Sequence, residues 1–148
     1  MWKKIHHVGF VVHDIEKAIK MYQDKFGLTI SERGISNTIE HGIRTAFFTI
    51  GGENTLEFVQ PTDETLFLGK YFAKRLKEHG EGPSHIAVDV EDFDAEIQSL
   101  REKGVTIEMI ESTQLFPGLT VRMAFILPEE TGGLGIEFAD AAALPPGV

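Results

Sequence analysis

The sequence predicts an α+β fold built from two tandem β-α-β-β-β modules, and three observations predict it. First, Ile5-His6-His7-Val8-Gly9-Phe10-Val11-Val12 is echoed 78 residues later by Pro83-Ser84-His85-Ile86-Ala87-Val88-Asp89-Val90. Second, the match runs on: Asp14 falls on Asp92, Ile19 on Ile97, and Arg44-Thr45-Ala46-Phe47 on Arg122-Met123-Ala124-Phe125. Small length changes then bring Gly27-Leu28-Thr29-Ile30 onto Gly104-Val105-Thr106-Ile107 and Leu56-Glu57-Phe58 onto Ile136-Glu137-Phe138. Third, each half carries the same punctuation of strand-like run, aspartate cap, apolar helical stripe and glycine stop. Self-similarity over this length marks an internal duplication. The expectation is one domain over residues 1–148, with repeats at about 4–60 and 83–139 joined by a helical connector at 61–82.

Taken in order, Ile5 to Val12 is rich in branched and aromatic residues and reads as a strand. Asp14 suits a helix N-cap, and Ile15, Ala18, Ile19, Tyr22 and Phe26 recur at helical spacing up to a stop at Gly27. Leu28-Thr29-Ile30 starts a second strand. A polar stretch to Asn37 leads to a third, from about Ile39 to Ile50. Gly51-Gly52-Glu53-Asn54 is turn chemistry, so Thr55 to Gln60 returns as a hairpin partner. In the connector, Leu66, Phe67, Tyr71 and Leu76 suggest an amphipathic helix closed by His79-Gly80. The second half repeats the order, with Asp92 as cap, Phe93, Ile97 and Leu100 as stripe, and Gly104 as stop. Its strands fall near Val105 to Ile110, Thr120 to Leu127 and Leu134 to Phe138, and the tail after Ala139 reads as frayed.

Composition limits the function classes. A formal charge of −9 argues against a general nucleic-acid binder, because phosphate neutralisation needs a basic face. With no cysteine, disulfides, thiolate metal sites and a catalytic cysteine are excluded. No apolar stretch approaches the roughly 20 residues of a membrane helix, and the start does not read as a signal peptide. A reducing cytoplasm is the expected home.

Strand alternation then singles out the chemistry-bearing residues. Val8, Phe10 and Val12 share the face covered by the following helix, which leaves His7, Gly9 and Val11 on the other. His85 opposes Ile86, Val88 and Val90 in the same way. Glu57, between Leu56 and Phe58, and Glu137, between Ile136 and Phe138, also oppose their strands' apolar faces. Each of the four residues alone has an ordinary structural explanation. Together they form a duplicated His…Glu/His…Glu set that converges if the halves close around a shared concavity. Imidazole and carboxylate suit Zn, Co, Ni, Mn or Fe, and two carboxylates balance a divalent ion that they would otherwise repel each other without. His6 falls on the opposite face, matches Ser84 in the repeat, and reads as structural.

These residues resemble the vicinal oxygen chelate superfamily, which includes glyoxalase I, extradiol dioxygenases and bleomycin-resistance proteins. Within it, the chain looks most like the methylmalonyl-CoA epimerases. The likeness rests on His7-Val8-Gly9, Glu40-His41-Gly42-Ile43, Leu56-Glu57-Phe58-Val59-Gln60-Pro61, Gly80-Glu81-Gly82, His85-Ile86-Ala87 and Thr131-Gly132-Gly133-Leu134-Gly135-Ile136-Glu137. It implies a curved mixed sheet around a metal site, with His7, Glu57, His85 and Glu137 as ligands of one divalent ion (Co, Zn, Ni or Mn). It also implies Glu40 as an acid/base beside the substrate, with Glu137 serving the opposite face. The implied reaction moves a proton next to a thioester carbonyl, with a Lewis acid stabilising the charge that develops. The chain departs from the epimerase pattern at Ser84, where a histidine is usual, at Glu129-Glu130, where a basic residue is common, and at His41, where glutamine is common. Lys70, Lys74 and Arg75 read more readily as a solvated helix face than as phosphate contacts.

Three other functions compete with this reading. A glyoxalase I-like lactoylglutathione lyase also uses two histidines and two carboxylates, but Pro128-Glu129-Glu130-Thr131-Gly132-Gly133 lacks the Asp-Pro-Asp-Gly type of turn found there. An extradiol dioxygenase would not need Glu57. A non-enzymatic, resistance-type binding protein would have no reason to keep all four ligand residues. The expected partner is therefore a small acyl thioester, with no nucleic acid and no membrane, and exposed edge strands of a curved sheet suggest a homodimer.

Overall fold

The computed structural model describes residues 1–52 and 54–140. The first half consists of β1 (Trp2–Val11), α1 (Ile15–Phe26), β2 (Ile30–Thr38), β3 (Ile43–Ile50) and β4 (Asn54–Pro61). Helix α2 (Phe67–His79) crosses to the second half. There β5 (Gly82–Val90), α3 (Phe93–Glu102), β6 (Glu108–Phe116), β7 (Leu119–Ile126), a short α4 (Pro128–Thr131) and β8 (Gly135–Ala139) follow. The duplicated caps are present as expected. The Asp14 carboxylate accepts the Lys17 N–H and that of Asp92 the Ala95 N–H, each at 3.0 Å.

The structure differs from the sequence reading at the edges. The polar stretch before Asn37 is strand, not loop, because β2 pairs on one side only, with Ser36 opposite Thr45 and Asn37 opposite Arg44. A polar, irregular pattern is what a one-sided edge strand tolerates. Ile39–His41 coil into a 3-10 turn capped by Gly42 at φ 71°, so β3 starts later than expected. Strand β6 is also an edge and runs further along the chain than its apolar residues suggested. Pro128 opens the unanticipated α4, where its lack of an N–H costs nothing. The fraying expected after Ala139 falls almost entirely outside the described residues.

One continuous sheet runs in the order β2-β3-β4-β1-β5-β8-β7-β6. Strands β1 and β4 are parallel, as are β5 and β8, and the remaining neighbours are antiparallel. The halves are thus arranged symmetrically about the β1–β5 seam. The sheet curves until its ends meet as a nearly closed barrel. The Ser36 hydroxyl donates to the Leu115 carbonyl, and His41 Nε2 lies 2.6 Å from Thr113 Oγ1.

Packing follows the predicted faces. Outside, α1 covers Ala46, Phe48 and Phe58, and α3 covers Val88, Ala124 and Phe138. Inside, Val11, Phe47, Val59 and Val121 meet Leu68, Phe72 and Leu76 of α2. Burying such large apolar side chains is the main stabilising term, worth about 1.5–3 kcal/mol each. Among the described residues, no helix is long and apolar enough to cross a membrane.

Candidate metal centre

The two strands at the seam and their parallel neighbours bring four predicted residues together. His7 comes from β1, Glu57 from β4, His85 from β5 and Glu137 from β8. The imidazole Nε2 atoms of His7 and His85 face each other at 3.3 Å. Glu57 Oε2 lies 3.3 Å from the first and 3.0 Å from the second. Glu137 Oε2 lies 3.7 Å from His85 Nε2. One donor atom each from His7, His85 and Glu137 fits within 4.8 Å, the geometry of a group able to hold a metal ion. Nitrogen and oxygen donors in an enclosed, acidic setting fit a divalent first-row ion.

Small residues make room for this arrangement. Gly9 sits across the seam from His85, where a β-carbon would lie 1.9 Å from His85 Cε1. The ring therefore lies over bare backbone, which explains the glycine two residues after His7. At Gly135 a β-carbon would come within 2.5 Å of Tyr71 Oη and 3.1 Å of His85 Cβ. Phe72 and Phe125 flank His85 with ring centroids 5.5 and 5.7 Å away, and Phe47 lies 5.6 Å from His7.

His6 is where strand alternation misleads. In the seam, Ile5 pairs with Val88 and His7 with Ala87, so an extra residue of β1 bulges at His6. Bulges redirect side chains. His6 is buried, and its Nδ1 lies 2.9 Å from His7 Nδ1. Its repeat counterpart Ser84 places Oγ 3.0 Å from His85 Nδ1 and 3.1 Å from the Gly9 carbonyl. Sequence reasoning missed both contacts, and the one available signal was that each residue directly precedes a predicted ligand.

Burial and charge shift the group's protonation in opposite directions. Burial would push the Glu57 carboxyl up, but His7 and His85 beside it overcome this and hold it down at about 2. Burial would likewise lower His7, and Glu57 reverses it, leaving His7 above its usual value. Glu137 is raised, chiefly by burial, with the histidines opposing. Burial beside His7 pushes His6 down to about 4. Two carboxyls whose proton affinities are pushed apart in this way suit acid/base chemistry.

Glu40 stands apart from the cluster. It is exposed on the 3-10 turn between β2 and β3. The cavity beside the cluster is lined by His7, Glu57 and Glu137 together with Thr38, Ile43 and Thr113, among others, so the turn bearing Glu40 sits at its rim. The cavity holds about 30 Å³. A separate groove of about 480 Å³ runs between α2 and α4 past Lys70, Lys74 and Arg75. There Lys74 pairs with Glu129 at 3.1 Å, and Arg75 donates to the Gly80 and Pro83 carbonyls.

Mixed-sheet halves that join at a seam and each supply a histidine and a glutamate define a class. The family model of the glyoxalase/bleomycin resistance protein/dioxygenase superfamily matches residues 6–121, and the chain belongs to that superfamily. Its similarity then narrows to one activity. It is 26% identical over 143 residues to the mitochondrial methylmalonyl-CoA epimerase of Mus musculus, covering 95% of this chain and 76% of that one. Among solved structures, it resembles a Streptomyces coelicolor methylmalonyl-CoA epimerase in complex with 2-nitronate-propionyl-CoA, with 28% identity, a TM-score of 0.76, and coverage of 94% of this chain and 97% of that one. The methylmalonyl-CoA epimerase of Mycobacterium tuberculosis gives 29% identity and a TM-score of 0.74, over 91% and 85% of the two chains.

Proposed function

We propose that this protein is a metal-dependent epimerase that moves a proton α to a thioester carbonyl, with a substrate of the methylmalonyl-CoA type. The observation that carries the reading is the convergence of two repeat-related His/Glu pairs on one buried point, His7 Nε2 and His85 Nε2 being 3.3 Å apart. His7, Glu57, His85 and Glu137 would hold a divalent ion such as Co, Zn, Ni or Mn. Bound there, the ion supplies Lewis acidity to the substrate's oxygens.

The chain's own groups divide the remaining work. Glu57, held ionised between the two imidazoles, contributes charge and orientation. Glu137, whose carboxylate faces the same cavity, takes the α-proton from one face. Glu40, at the rim, delivers a proton to the opposite face of the flattened carbon. The apolar wall of Phe47, Val59 and Phe72 excludes water from the exchange. We also propose that the two repeats act as one domain and that the protein forms a homodimer. Exposed Met1, Trp2 and Ile5 supply an apolar surface for it, since the sheet edges meet each other.

Elemental analysis of the purified protein should find about one divalent ion per chain, lost in His85→Ala; an ion-free wild type that takes up none of these metals would defeat the reading. With metal content intact, Glu40→Gln should lower epimerisation by roughly 10²–10⁴-fold. Full activity in that variant would remove Glu40 from the mechanism.

A further inference from the structure

The residue before each histidine of the cluster meets the ring nitrogen on the far side from the cluster. His6 Nδ1 lies 2.9 Å from His7 Nδ1, and Ser84 Oγ lies 3.0 Å from His85 Nδ1. His6 and Ser84 occupy equivalent positions in the two repeats, so the duplication has kept the contact while changing its chemistry. We infer that His6 and Ser84 are positioning residues that accept the Nδ1–H of His7 and His85, fixing both imidazoles with an unprotonated Nε2 turned toward the metal.

The inference rests on the proposed metal site and concerns what the chain does for it. A neutral imidazole can coordinate through Nε2 only if its proton sits on Nδ1, and a buried N–H without an acceptor is costly. Ser84 meets that need in a defined way. Its hydroxyl has one hydrogen, and the Gly9 carbonyl at 3.1 Å takes it. A lone pair on Oγ is then left facing His85 Nδ1. The Tyr71 hydroxyl donates to the Ser84 carbonyl at 3.2 Å and steadies that residue's backbone. In the other half no hydroxyl is available, and a ring nitrogen of His6 takes its place. His6 is 7% exposed and Ser84 is 4% exposed, so water does not substitute for either acceptor. His6 Nε2 has no hydrogen-bond partner among the described residues. Accepting at Nδ1 places the His6 proton on that Nε2, a cost that the contact to His7 must outweigh.

The test uses the full-length protein and zinc as the probe. Zinc affinity is measured by competition with a chromophoric chelator for wild type, Ser84→Ala and His6→Phe, and for the acceptor-retaining Ser84→Thr and His6→Asn. Proton–nitrogen NMR of the zinc-loaded proteins reads the imidazole N–H signals. The expected result is roughly 10–100-fold weaker binding in Ser84→Ala and His6→Phe. In each, the slowly exchanging Nδ1–H signal of the neighbouring ligand should be lost, and both properties should recover in Ser84→Thr and His6→Asn. Unchanged affinity and unchanged Nδ1–H signals in Ser84→Ala and His6→Phe would overturn the inference. So would equal losses in the conservative variants, which would make the role one of packing. A wild type that binds no zinc would instead defeat the metal reading itself, a separable outcome.

Discussion

His6 shows how one buried residue makes stability depend on pH. Its folded pKa, pushed to about 4, lies below the 6.5 of an unperturbed histidine. Between those values the unfolded chain binds a proton that the folded protein refuses, so stability falls as pH drops from about 6.5 toward 4. In metal-free protein, chemical denaturation of wild type against His6→Phe should show wild type losing up to about 3 kcal/mol relative to the variant across that window. A difference that stays flat with pH would mean that His6 is charged in the fold. His7, raised by Glu57, works in the opposite sense: its contribution is complete below 6.5 and fades as pH climbs through its folded value. At this scale the sequence was legible where the repeat spoke. His7, Glu57, His85 and Glu137 were all found by asking which polar residues recur opposite an apolar face. His6 was misplaced because alternation assumes a regular ladder, and nothing in the letters announces a bulge between Ile5 and His7. Ser84 was noted only as a departure, since its value lies in an atom-to-atom contact that spacing does not show.

At the level of elements, the helices and central strands were readable, with caps at Asp14 and Asp92 and stops near Gly27 and Gly104. The extents of the edges β2 and β6 were not, because a strand paired on one side carries little periodic signal. Those two strands also govern access. A cavity of about 30 Å³ has room for about one water and none for an acyl group. Beside it, contacts of Ser36 with Leu115 and of His41 with Thr113 join β2 and the turn after it to β6, with which β2 shares no backbone ladder. Parting of β2 and β6 would widen the cavity for a substrate and would carry the Glu40 turn along. Amide hydrogen exchange should be faster in β2 and β6 than in β1 and β5, and a bound thioester analogue should change protection at Ser36 and Thr113. Exchange in β2 and β6 as slow as at the seam would point to another route.

For the whole molecule, the continuous sheet is the reason to expect cooperative behaviour. Chain fragments that each held a complete site could unfold separately, but here each half brings one histidine and one glutamate and shares the β1–β5 seam. Thermal unfolding should be a single transition, and a homodimer would make its midpoint rise with protein concentration. Two resolved transitions would contradict the one-domain proposal, and a midpoint independent of concentration would favour a monomer.

The meeting of β2 with β6 carries a cost beyond access. A free strand edge is a template on which another chain can add itself, and β2 and β6, which share no ladder, cover each other's edges through side-chain hydrogen bonds. Each opening uncovers two such edges at once, each strand nine residues long. A state in which these strands part is then also the one most prone to self-association.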